Sequence, residues 1–339
     1  MPLAALLLLL PFCALAQDVS DLEPKAARGD AKAQYELGAL YLRGKAVEQN
    51  DHRAFEWFSK SAELGYAPAQ DRLGGMYLTG LAVSKDEALA KRWLLKAAKQ
   101  GYARAQRNLG RLLEPSDEAR AWYEKAAAQG DAESQFRLGD HEKAAEGGHA
   151  EAQFVLAERL HGEGSVLPAL AWLRKAAGSG YGPAQARLAE LSQDPAEAWT
   201  WWLTAAETGD AGARYRVGEA YRLGLLGQAQ DDDRARLWHE RAAEQGQARS
   251  AYALAQMGGE EAGGWLKKAA FQGLAEAQRG LGQSLLEGDR VQACSWLGLA
   301  AEQGDAEAKK AFDELKGSLT GEELMRVLSL MKRDRSVPK

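Results

Sequence analysis

Eight of the ten tryptophans in this chain, Trp57, Trp93, Trp122, Trp172, Trp201, Trp238, Trp265 and Trp296, stand eight residues before a glycine. Those glycines are Gly65, Gly101, Gly130, Gly180, Gly209, Gly246, Gly273 and Gly304, and each tryptophan also has an alanine three residues before it. A coincidence held so many times is a repeat and not a composition effect, and a repeat decides the architecture before any other signal is read. Adding Gly29 and Gly148 gives anchors separated by 36, 36, 29, 18, 32, 29, 37, 27 and 31 residues. Apart from the 18, this is the range of helical-hairpin solenoids.

The spacing inside the unit predicts two helices. Before each of the eight Trp-paired anchors, apolar residues fall at Ala, at Trp three later, at its often apolar neighbour, and usually at an Ala-Ala pair such as Ala97-Ala98 or Ala205-Ala206. These offsets trace one helical face. After each anchor a second set follows at four, eight, nine and often twelve residues, as in Ala33, Leu37, Gly38 and Tyr41, then Ala69, Leu73, Gly74 and Tyr77. Small residues opposite large ones let helices approach closely. The expected pairing therefore sets Gly38 against Trp57 and Gly74 against Trp93, each indole filling the space the glycine leaves. On that reading Trp93→Ala removes roughly 3–5 kcal/mol, and Trp199 or Trp202, lying off the repeated position, matter less. The anchor glycine ends the Trp helix in a left-handed residue, and Asp30, Asp131, Asp210 and Asp305, directly after anchors, cap the next helix.

These residues resemble the Sel-one-like repeat (SLR) proteins, relatives of tetratricopeptide repeats. The family pattern is matched from Ala90 to Gly101 (Ala-Lys-Arg-Trp-Leu-Leu-Lys-Ala-Ala-Lys-Gln-Gly) and, for the second half, from Gly65 to Tyr77 (Gly-Tyr-Ala-Pro-Ala-Gln-Asp-Arg-Leu-Gly-Gly-Met-Tyr). The resemblance covers about residues 26–312 and implies an all-α fold, a right-handed α/α solenoid of helical hairpins. The expected organisation is a signal peptide over 1–16, a solenoid of about nine units over 17–316 and a capping helix with tail over 317–339. Thr320 and Glu323 form a capping box at the start of that last helix. One unit, near 130–148, lacks its Trp and about half its length; with only Gly139 as a turn signal, its remnants are expected to fuse into one helix. Another connection shrinks to Met257-Gly258-Gly259, which alters curvature rather than fold.

Met1 to Ala16 has no charge, carries the run Ala4 to Leu10 and ends in Ala14-Leu15-Ala16, the small-x-small pattern of a secretory cleavage site. Export to the periplasm or medium is the expectation, although no Lys or Arg precedes the run and Pro2 and Pro11 interrupt it. A lipoprotein reading of Cys13 meets Phe12 where a small residue is needed. Removing 1–16 leaves Cys294 alone, so no intrachain disulfide can form and Cys294 reads as a small buried hydrophobe. No later stretch is long and apolar enough to span a bilayer. With 43 basic against 48 acidic residues the chain lacks the footprint of a nucleic-acid binder.

Chemistry is not legible. There is no phosphate-cradling loop, nucleophile elbow or His-Glu-x-x-His pair, so no catalytic residue, metal ligand or cofactor is assigned. His52, His141, His149, His161 and His239 stand apart without paired cysteines. Asp231-Asp232-Asp233 opens a Trp helix, where acidic residues complement the dipole. The resemblance implies a non-enzymatic scaffold or adaptor for a protein or peptide partner, in envelope assembly, signalling or host contact. The alternative is the β-lactamase or penicillin-binding activity assigned to cysteine-rich relatives, whose cysteine pairs this chain lacks. If the helix register follows the tetratricopeptide relatives, the residue six after each anchor points into the concave groove: Tyr35, Asp71, Arg107, Phe136, Phe154, Ala186, Tyr215, Tyr252 and Arg279. Aromatic rings and arginines are the types enriched in binding hot spots; the competing reading packs the rings between repeats.

Overall fold

The computed structural model describes residues 10–335, with side chains described over 19–334. Among the described residues all regular structure is α-helical, in 21 helices. None is long and apolar enough to cross a membrane. The expected signal segment lies outside the described residues through position 9; from Leu10 the backbone is already helical, in α1 (Leu10–Ala27). The chain divides into two compact units, residues 1–156 and 157–339.

In the first unit, α2 (Ala31–Arg43) pairs with α3 (Asp51–Glu63), α4 (Ala67–Thr79) with α5 (Glu87–Lys99), and α6 (Ala103–Leu112) with α7 (Asp117–Ala127). Each hairpin then packs on the next, α3 against α4 and α5 against α6. The second unit repeats this with α12 (Gly182–Leu191) on α13 (Pro195–Glu207), α14 (Ala211–Leu223) on α15 (Asp232–Glu244), α16 (Ala248–Met257) on α17 (Ala262–Phe271), and α18 (Ala275–Ser284) on α19 (Arg290–Glu302). Helices that follow an anchor glycine are hereafter inner helices, and those that carry the tryptophan are outer helices.

The anchors behave as their spacing requires. All ten have positive φ, between 83° and 110°, which any side chain would strain. Most have open space where a Cβ would project, so backbone conformation and not crowding demands glycine there. Asp30, Asp131, Asp210 and Asp305 each accept a hydrogen bond from the amide three residues on, at 2.9, 2.9, 2.6 and 2.9 Å. Asp231 caps α15 in the same way at 2.9 Å.

The core departs from the expected pairing in one consistent respect: the glycine of the inner helix faces the residue after the tryptophan. A Cβ on Gly38 would meet Phe58, on Gly74 Leu94, on Gly110 Tyr123, on Gly218 His239 and on Gly282 Leu297. Phe58, Leu94, His239 and Leu297 are wholly buried, whereas Trp57 and Trp93 are only half-buried. Trp202 fills the same slot after Trp201 and is buried, so it belongs to the core. Both residues of the Trp pair lie on the apolar stripe, one helical step apart, and periodicity alone cannot choose between them. The indole instead lies beneath the cation three residues on, with Lys60, Lys96, Lys125 and Lys175 at 4.3, 4.0, 4.0 and 3.9 Å from the ring centres of Trp57, Trp93, Trp122 and Trp172.

The short unit is a second correction. It forms two helices, α8 (Ala132–Arg137) and α9 (His141–Glu146), broken at Gly139 with φ of 86°. Asp140 caps α9 through its bond to the Lys143 amide, so Gly139-Asp140 repeats in miniature the Gly-Asp pairs at four anchors. α10 (Ala150–Gly162) follows. At the other end, α21 (Gly321–Arg335) lays Val327 and Met331 into the core against α19, and the Thr320 amide donates to Glu323 at 2.8 Å as a capping box. Cys294 is fully buried in that core, which pushes its thiol pKa up.

Candidate functional site: the inner-helix face

Each inner helix turns one face to its outer partner and leaves another uncovered. Positions four, eight and nine after the anchor are buried, as are Ala33, Leu37 and Gly38 on α2, and position five carries a glutamine that ties the hairpin stack together. Gln34, Gln70, Gln106, Gln153, Gln185 and Gln278 each donate to the carbonyl eight residues earlier, at 3.0 to 3.2 Å. Gln100, Gln129 and Gln303, just before an anchor, donate in turn to the glutamine of the preceding unit, at 2.7, 2.8 and 2.7 Å. The neighbouring positions three, six, seven and ten are for the most part partly exposed, with Asp71 and Ala253 as buried exceptions.

Those positions line clefts. Between α4 and α6 a cleft of about 410 Å³ is bordered by Asp71, Arg72 and Gly75 from α4 and by Arg104, Arg107, Asn108 and Arg111 from α6. In the second unit a cleft of about 400 Å³ uses Ala186 and Glu190 of α12, Tyr215 and Arg216 of α14, and Arg249 of α16. A third, of about 500 Å³, lies between α1 and α2 and includes Tyr35, Glu36, Ala39 and Arg43.

The position six after the anchor also meets the residue just after the following anchor. Tyr35 packs on Tyr66 at 5.5 Å edge to face, Arg107 Nη1 donates to Asp131 Oδ2 at 2.9 Å, Phe136 stacks on His149 at 4.4 Å, and Arg279 Nε lies 3.3 Å from Asp305 Oδ2. Of the expected groove residues, Tyr35, Asp71, Arg107, Ala186 and Tyr215 are brought to the three clefts. Phe136, Phe154, Tyr252 and Arg279 do not border any of these three; Phe136 is packed against His141 and His149, and Tyr252 against the C-terminal core. Residues that the single-position reading missed are Arg72, Arg104, Asn108, Arg111, Arg216 and Arg249. Their signal was the helical ridge itself, since positions three, seven and ten flank position six on the same face.

Electrostatics distinguish the α4–α6 cleft. Asp71 is only 2% exposed, and it accepts from Asn108 Nδ2 at 2.7 Å and pairs with Arg104 Nε at 3.0 Å. Burial pushes its carboxyl pKa up, against the opposing pull of Asn108 and Arg104. In the second unit Glu219 is held down to about 2: burial works against this, and the Arg222 guanidinium, bonded at 2.7 and 2.8 Å, outweighs it with help from His239. His239 is fully buried in the slot that Phe58 and Leu94 fill elsewhere. Among the described residues no group of three or more His, Cys, Asp or Glu side chains is placed to hold a metal ion.

The Sel1 repeat family model matches residues 31–66, 67–102, 103–131, 150–181, 182–210, 211–247 and 275–305. The compressed unit around α8 and α9 and the unit with the short Met257–Gly259 connection are left unmatched. Among solved structures, a protective antigen of uropathogenic Escherichia coli with an SLR fold is similar at 28% identity and a TM-score of 0.68, over 94% of this chain and 79% of that one. A Sel1 repeat protein from Oxalobacter formigenes is similar at 27% identity and a TM-score of 0.46, over 90% of this chain and 93% of that one. No curated protein matches the sequence significantly.

Proposed function

The chain belongs to the Sel1 repeat family, and from that premise we propose that it is an exported, non-catalytic adaptor that binds a protein or peptide through the faces of its inner helices. Sel1 repeat proteins generally mediate protein–protein interaction on a scaffold that is generally non-catalytic. The observation that carries the binding face is the recurrence, in both units, of clefts lined by the same positions after the anchor. In the nine units between Gly29 and Gly304, position four is alanine in all but two (Ser134, Ser250) and position five is glutamine in all but two (Arg214, Ala251), whereas the cleft-lining positions change chemistry more freely from unit to unit, as a recognition surface does.

Export rests on the apolar segment that ends in Ala14-Leu15-Ala16. The likeness to a protein described as a protective antigen is in keeping with this reading. Sequencing of the mature N-terminus tests this, with Gln17 expected first and Met1 the contrary result.

A photoreactive amino acid at the inner-helix positions of Arg111 and Arg216, with the same probe at Lys60 and Lys96 on outer helices, tests the face. Crosslinked partner at the first pair alone supports the reading; adducts confined to the outer helices contradict it.

A further inference from the structure

We infer that the cleft between α4 and α6 takes an acidic segment of a partner, an extended stretch of spaced carboxylates with an apolar side chain next to them. This names the partner chemistry of the face proposed above and rests on that reading.

Charge is the first ground. Arg72, Arg104, Arg107 and Arg111 border the cleft, and the one carboxylate in its lining, Asp71, is buried and already bonded to Asn108 and Arg104. The basicity is local, because the chain carries a net charge of -5. Three other clefts among the described residues have linings of mixed charge. The α1–α2 cleft sets Lys25 and Arg43 against Asp21 and Glu36, and the second-unit cleft sets Arg216 and Arg249 against Glu190 and Asp210. The hollow at the start of α7 likewise balances Arg120 and Arg137 against Glu114 and Asp117.

Availability is the second. Arg104 is held through Nε alone, with its side chain 42% exposed. Arg107 gives Nη1 to Asp131. Among the described residues the side chains of Arg72 and Arg111 make no hydrogen bond or ion pair, although the charge of Arg72 acts on Asp71. Asp71 thus acts as a positioning residue, fixing Arg104 and Asn108 across two helices so that less side-chain freedom is lost on binding. Fixed guanidiniums recognise carboxylates with paired donors.

Shape is the third. Arg104 and Arg111 are two turns apart on α6, about 10 Å along the axis, which an extended chain covers in about three residues. One small anion cannot answer both ends. The cleft is also lined by Leu42, Met76 and Leu81, which lie past Arg111 in the repeat register, apolar surface that a free anion would not use.

Short random peptides displayed on phage and panned on the full chain test this. The recovered peptides are expected to carry carboxylates about three residues apart with an apolar residue next to them, with affinity that falls as salt rises. Arg72→Glu with Arg111→Glu should weaken the best peptide by roughly a hundredfold or more, while Lys91→Glu with Arg92→Glu on α5 leaves it unchanged. Arg72→Gln with Arg111→Gln, if the reversed pair fails to fold, is expected to lose at least roughly tenfold. Enriched peptides without acidic bias would overturn the acidic assignment and leave the adaptor reading standing. Inorganic phosphate displacing the peptide at equal concentration would reassign the cleft to a free anion. No enrichment over a blank surface would contradict both.

Discussion

Leu94, and not its neighbour Trp93, is the residue packed into the hollow of Gly74: a Cβ added to Gly74 would come within 2.7 Å of Leu94 Cγ. The close approach of α4 and α5 is therefore built from a glycine and an aliphatic side chain, and the indole covers the neighbouring seam with Lys96 across its face at 4.0 Å. The same two-residue division of labour recurs at Phe58 and Trp57.

Leu94→Ala should accordingly lower stability by about 3–4 kcal/mol, since the buried side chain leaves a cavity that the rigid hairpin cannot close. Trp93→Ala, removing a half-buried ring, should cost about 1–2 kcal/mol, and Trp202→Ala should rank with Leu94. Urea melts of the three variants check the order. A larger loss at Trp93 than at Leu94 would reverse the assignment of the core face.

Much of this was legible in the sequence because backbone demands are local. Left-handed residues need glycine and helix starts need Asp, so Gly29-Asp30 or Gly209-Asp210 mark helix ends without reference to anything distant. The same logic applied to Gly139-Asp140 would have broken α8 from α9; the missing tryptophan outweighed it. Packing partners were less legible, because Trp93 and Leu94 are both apolar and adjacent, and only the rotation of one helix against another selects between them. The cleft was half legible. Asp71 and Arg107 stood out at one repeated position, but Arg72, Arg104 and Arg111 join them only once two inner helices are laid side by side.

The glutamine ladder has a missing rung. Gln70 accepts from Gln100 at 2.7 Å, but Gln34 Oε1 is buried with no hydrogen-bond partner, because Leu64 stands where the next unit has Gln100. Leu64 is 57% exposed, so little packing is lost by replacing it. Leu64→Gln should raise stability by about 1 kcal/mol by satisfying Gln34, read as a higher urea midpoint. In that background Gln34→Ala should remove more stability than it does in the parent chain, and equal losses would exclude the new bond.

Glu219 sets a pH dependence in the second unit. Its carboxyl, 17% exposed, titrates at about 2 in the folded chain against an ordinary 4.5. A depressed carboxylate stabilises the fold at pH values above its unfolded pKa, and that contribution is lost as pH falls through the window from about 4.5 to about 2. It amounts to about 3 kcal/mol. Glu219→Gln should therefore be less stable than the parent at pH 7 and approach it as the pH nears 2. Thermal melts across this range check the sign; a gap that widens on acidification would contradict it.

The most direct measurement places bulk in the cleft without disturbing the core. Gly75 of α4 borders the α4–α6 cleft, has ordinary helical φ, and has no atom within 4 Å of a Cβ built on it. Gly75→Trp should then keep or slightly raise the melting temperature, because glycine is a poor helix former, while peptide binding and the crosslink at Arg111 disappear. Gly178→Trp, at the equally open end of α11 (Val166–Gly178), should leave both intact. Full binding by a well-folded Gly75→Trp protein would show that the partner does not enter this cleft.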